Sequence, residues 1–109
     1  MTREFIMTPV FDKLWGDLRL TDDDLRELQD LITKNPAIGD IIQNTGGARK
    51  MRFALQDTGK SAGIRVIYAD IKHLRQIYLL LCYPKSAQDS LTPEQKKQIK
   101  MMMKALKGA

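Results

Sequence analysis

The residues with the most chemical potential are cations, and most fall on either side of one glycine-rich stretch. Residues 54–68 read ALQDTGKSAGIRVIY, and Gly59-Lys60-Ser61 has the form of the end of a phosphate-binding P-loop, with Ala54 in place of the leading glycine. Around it stand Arg49, Lys50, Arg52 and Arg65, with Tyr83 and Lys85 further on. Lysine and arginine in such a set suit a phosphate group. Other chemistries are poorly served: His73 is the only histidine, Cys82 the only cysteine, and no acid cluster has metal-ligand spacing. No nucleophile with a partner base is visible. The sequence therefore calls for no metal and no cofactor.

The elements that must carry these cations decide between a nucleotide loop and another use. A Walker loop runs from a strand straight into a helix, whose amides and dipole hold the phosphates. Here the β-branched and aromatic run IRVIYAD comes next, which predicts a strand. In ARKMRFAL, Met51, Phe53 and Leu55 alternate with Lys50, Arg52 and Ala54, the pattern of a strand with one solvated face. QIYLLLCY is apolar on both faces and is the best candidate for a central strand; residues 70–75 form a polar connection before it. With Lys50 and Arg52 on one strand face and Arg65 opening the neighbouring antiparallel strand, the cations can converge on a groove, with Lys60 on the loop between. Tyr83, ending the third strand, offers a stacking surface, a hydroxyl or a core cap.

Helices bracket these strands. REFIM near the start predicts an edge strand, and Thr8-Pro9 reads as an N-cap followed by proline in the first turn. Val10, Phe11, Leu14, Trp15 and Leu18 mark the apolar face of that helix. In LTDDDLRELQDLITKNP, Thr21 caps a helix whose acidic first turn suits the dipole, and Leu25, Leu28, Leu31 and Ile32 form its predicted buried stripe. AIGDIIQNTGG predicts a short helical turn leading into a strand. SLTPEQKKQIKMMMKALKG predicts a last helix, with Thr92 and Gln95 as a capping box, Ile99, Met102, Met103 and Leu106 inward, and Gly108 as terminator. Consecutive strands with short connections and helices at the sides make an α+β fold: a small antiparallel curved sheet with N-terminal helices and a C-terminal helix.

The 109 residues suit a single domain spanning 1–109. Charge is polarised: residues 1–40 hold nine acids and five bases, net −4, and residues 41–109 hold four acids and thirteen bases, net +9. Such a division suggests a phosphate-facing surface in the second part. One cysteine, no long apolar run and an acid-bearing N-terminus point to a cytoplasmic protein without a membrane span.

Three segments in order, TGGARKMRFA, GKSAGIRVIY and IYLLLCYPKSAQDSLTPEQKKQIKMM, resemble the toxins of bacterial type II toxin–antitoxin pairs in the RelE superfamily, most closely the HigB-type branch. NPAIGDIIQNTGG upstream extends the similarity. The resemblance implies a helical pair on one side of a curved sheet. It also implies an endoribonuclease that enters the ribosomal A site and cuts translated messenger RNA, with the RNA's own 2′-hydroxyl as nucleophile and translation inhibited as a result. Like charges lower a lysine's pKa, so a cationic cluster can supply a base without histidine. On this resemblance Lys50 or Lys60 is the candidate base, Arg52 and Arg65 clamp the phosphate, and Lys85 is a candidate acid or RNA contact. Arg49 and Tyr83 are candidate RNA contacts. Arg65 lies in an SxGxR signature, Ser61-Ala62-Gly63-Ile64-Arg65. Where well-understood members place an arginine after GK and then a tyrosine, this chain has Pro84-Lys85-Ser86 and then Thr92, which leaves the general acid open.

The resemblance further implies a cognate antitoxin, usually of helix-turn-helix type, through which any contact with operator DNA would run. The alternatives are a catalytically silent RNA- or ribosome-binding module and, on Gly59-Lys60-Ser61 alone, a nucleotidase or kinase.

Overall fold

The computed structural model describes residues 2–54, 63–88 and 90–109. Thr8 and Thr21 start the first two helices as their sequence context predicts. The Thr8 side chain accepts from Phe11 N at the head of α1 (Pro9–Asp17), and Thr21 forms a capping box with Asp24 at the head of α2 (Asp22–Lys34). Thr92 and Gln95 do the same for α3 (Pro93–Lys107). The strands are β1 (Glu4–Met7), β2 (Asp40–Ile41), β3 (Arg49–Phe53), β4 (Ile64–Ile71) and β5 (Gln76–Pro84), with one 3₁₀ turn at Lys72–Leu74.

The five strands form one sheet in the order β1-β5-β4-β3-β2. Pairing is antiparallel from β2 through β5, as successive short connections require, and β1 adds a parallel edge to β5. The fold is the expected α+β class, with a mixed sheet. QIYLLLCY lies inside the sheet, between β1 and β4, although β4 is the middle strand. The expected helical turn before β3 resolves instead into turns around the two-residue β2.

Each face of the sheet carries its own core. Phe11 and Trp15 of α1 and Leu28 and Ile32 of α2 cover Met51, Phe53, Val66, Tyr68, Leu79 and Cys82. On the opposite face Ile99 and Met103 of α3 cover Ile67, Ala69, Leu80 and Leu81. Leu31 departs from the predicted stripe and is 36% exposed. At 100° per residue it lies well to one side of the seam set by Leu25, Leu28 and Ile32.

An irregularity in β5 determines which of its side chains join which face. Ile67 pairs with Leu81, but the next residue, Tyr68, pairs with Leu79, so Leu80 is an extra residue. Leu80 and Leu81, adjacent in sequence, therefore both pack on the α3 side. The bulge is tied to the start of α1: the Thr8 hydroxyl donates to the Leu80 carbonyl at 3.0 Å while accepting from Phe11 N at 3.0 Å.

Candidate functional site

Arg52, Arg65 and Tyr83 form one row across the sheet: Arg52 is the register partner of Arg65, and Arg65 of Tyr83. All three lie on the α3 face. Lys50, two residues before Arg52, joins them by strand period and pairs with Ile67. Toward the other end of the strands this face is closed by the α3 core. The row is a cationic extension of that core.

Burial is graded along it. Arg52 is exposed, Lys50 and Arg65 are half-buried, and Tyr83 is buried with 5% of its surface accessible. The Arg65 Nε is buried and has no hydrogen-bond partner among the described residues. A buried donor without an acceptor is costly in a finished core, which sets this group apart from the packed residues around it. Tyr83 packs its ring into the α3-side core, so the open stacking surface considered from sequence is not offered; its buried hydroxyl sits in the row.

Gly63 shapes the approach to Arg52. Its φ of +63° favours glycine, and a Cβ there would stand 3.2 Å from the Phe53 carbonyl and 3.5 Å from Arg52 Nε. Its own carbonyl accepts from the Lys85 backbone N at 3.4 Å, which holds the half-buried Lys85 beside the start of β4. Lys60 and Ser61, with the rest of the predicted loop, lie outside the described residues. The chain then enters the strand β4, where a P-loop would enter a helix.

Arg49 is separated from the group. It pairs with Tyr68, whose ring is in the α1–α2 core, and its Nη1 donates to the Gly39 carbonyl at 2.7 Å. The alternation of β3 thus places Arg49 on the opposite face from Lys50 and Arg52. There the Tyr68 hydroxyl donates to the Pro36 carbonyl at 2.8 Å and accepts from Gly39 N at 2.9 Å, and burial raises its pKa above the ordinary tyrosine value. Gly39 is required by close approach: a Cβ would stand 2.9 Å from both the Lys50 carbonyl and the Tyr68 ring.

Two further groups lie off the row. His73 is exposed on the 3₁₀ turn, with Nε2 3.1 Å from the Ala109 carbonyl oxygen. Cys82 is fully buried on the α1–α2 side, and burial pushes its thiol up to about 12. Among the described residues no group of three or more His, Cys, Asp or Glu is placed to share a metal ion. Also among them, no helix is long and apolar enough to cross a membrane. Sequence reasoning missed an ion pair at the far end of the sheet: Arg3 Nε donates to Asp70 Oδ1 at 2.8 Å and Nη2 to Oδ2 at 3.4 Å. The partners are 67 positions apart, and no local pattern links them.

A mixed sheet with two helices on one face and a third on the other is an arrangement with a counterpart among known proteins. Residues 5–109 match the family described as the RelE toxin of the RelE / RelB toxin-antitoxin system. The chain belongs to this toxin family. Its fold is similar to that of the E. coli toxin RelE, solved in the free state as a double arginine-to-alanine mutant. The TM-score is 0.58 at 15% identity, covering 82% of this chain and 90% of that one.

Proposed function

We propose that this toxin is a messenger RNA endonuclease, a single domain of the HigB-type branch acting in the ribosomal A site. The observation that carries the reading is the Arg52–Arg65–Tyr83 row, with a buried Arg65 Nε that has no hydrogen-bond partner among the described residues. Cleavage of this class forms a bond between O2′ and the adjacent phosphorus and breaks the bond from phosphorus to O5′. A base takes the 2′-hydroxyl proton, the phosphorane carries two negative charges, and an acid returns a proton to O5′. Arg52 and Arg65, side by side on neighbouring strands, suit the two non-bridging oxygens. Preorganised donors of this kind stabilise charge that develops only in the transition state.

Lys50 shares the face and is a candidate base, with Lys60 as the other. Lys85 is the candidate acid at the leaving-group side. The partner is a cognate antitoxin, through which any contact with DNA is made, and the site of action is the cytoplasm. Induced expression is expected to arrest growth and translation, with 5′-end mapping showing breaks inside translated codons. Intact messages during arrest would overturn the nuclease reading and leave the alternative of a silent ribosome binder. That alternative draws on the absence of the arginine and tyrosine at Lys85 and beyond.

A further inference from the structure

The opposite face of the sheet carries a second cationic concavity that the proposed RNA chemistry does not use. It is a cleft of about 360 Å³ between the end of α2, the start of β3 and the end of β4, lined among others by Asn35, Pro36, Ala37, Arg49, Asp70 and Lys72. That volume falls in the range of small-ligand sites, roughly 300–1,000 Å³, and exceeds what a bare oxyanion fills.

Its charged side chains are mostly cations, Arg3, Arg49 and Lys72 against the single acid Asp70. Asp70, its acid, is engaged through both oxygens by Arg3. Among the described residues Arg49 and Lys72 form no ion pair. Arg49 spends one N–H on the Gly39 carbonyl, and that bond anchors the guanidinium. Asn35 Oδ1 accepts from Ala37 N at 3.2 Å, which leaves its amide N–H groups as the donors it can offer. The wall is rigid, because the Tyr68 hydroxyl ties Pro36 to Gly39 from beneath and the tight fit at Gly39 prevents retreat. A guanidinium, an ammonium and an amide lining one cleft, with the local carboxylate already paired to Arg3, suit the fork and point-charge recognition of a phosphate.

We propose that this cleft binds a phosphate ester of up to nucleotide size, with Arg49 and Lys72 as its cationic ligands and Asn35 as a neutral donor. The inference stands independently of the nuclease reading, since no group of the Arg52–Arg65 row lines the cleft. Its ligand is either a free nucleotide or one nucleotide of a bound RNA.

Titration of the full chain with inorganic phosphate at constant ionic strength, monitored by amide NMR, tests it. Saturable shifts are expected at Ala37, Gly39, Gly47 and Lys72. Lys72→Gln, an exposed change, should weaken phosphate about tenfold, as expected for one charge-assisted contact, and Arg52→Ala should leave the affinity at these amides unchanged. A 5′-mononucleotide binding more tightly than phosphate assigns a free nucleotide; tightening only with a short RNA assigns the RNA backbone. Shifts that do not saturate, that occur only around Arg52 and Arg65, or that are unchanged in Lys72→Gln overturn the proposal.

Discussion

Arg52 and Arg65 face each other as register partners on antiparallel strands β3 and β4, two like charges where sheet chemistry favours opposite ones. Directly opposed like charges cost a few tenths to about 1 kcal/mol. The arrangement is therefore a local conflict with stability, and such conflicts concentrate at functional sites. Arg65→Ala should keep the fold, with a thermal midpoint at or slightly above that of the parent. It should reduce RNA cleavage on the order of a hundredfold or more, the scale of removing one preorganised donor. Full toxicity in that variant would take Arg65 out of the site.

Tyr83 separates a packing role from a chemical one. Because its ring is in the core and its hydroxyl is in the cationic row, Tyr83→Phe keeps the buried ring. Cleavage is expected to fall about tenfold or more if the hydroxyl takes part in proton transfer or phosphate contact, with little change in urea midpoint. Unchanged cleavage would confine Tyr83 to packing.

Thr8 is tied to the bulge that precedes that tyrosine in β5. Its hydroxyl caps α1 and also satisfies the carbonyl of the bulge residue Leu80, three positions before Tyr83. Thr8→Val should lower stability by about 1–2 kcal/mol, the scale of a lost cap, and lower cleavage with it. Thr8→Ser should restore both in urea unfolding and cleavage assays, since serine keeps the hydroxyl. Failure of Ser to rescue would show that the methyl group, not the hydrogen bond, matters.

Gly63 sets the strand entry next to Arg52. Gly63→Ala places a Cβ at φ +63° and 3.2 Å from the Phe53 carbonyl. The left-handed conformation costs roughly 1–2 kcal/mol for a residue with a Cβ. Chemical unfolding should register that loss, and a neutral result would mean that the backbone there relaxes.

Cys82 predicts an alkaline weakness. Its thiol ordinarily titrates at 9.0 and burial moves it to about 12. Between those values the unfolded chain has released the proton that the native state still holds. Stability contributed by the protonated thiol is therefore present below pH 9 and falls as pH rises toward about 12. Urea midpoints across that window should fall more steeply for the parent than for Cys82→Ala. Parallel slopes would contradict the shift, as would rapid native-state labelling by thiol reagents near neutral pH.

Much of the fold is readable along the chain because it depends on neighbours in sequence. The caps at Thr8, Thr21 and Thr92 are short-range hydrogen bonds, and the period-two alternation of residues 49–53 places Lys50 and Arg52 on one face whatever the sheet does next. The α+β class comes from the order of such elements. Composition groups Arg49 with its neighbours, yet the same alternation sends it to the other face, where it meets Gly39.

Long-range contacts account for the remainder. In a regular strand Ile77, Leu79, Leu81 and Tyr83 would share one face, and Tyr83 would point away from Arg65. The extra residue Leu80 reverses that parity, bringing Tyr83 into the arginine row and sending Cys82 into the opposite core. Nothing in the run of three leucines marks which one is extra; the choice comes from pairing with β4 and from a threonine 72 positions away. The β-strand pattern settles which cations share a face, and the bulge, which exists only once the strands are paired, settles what stands beside them.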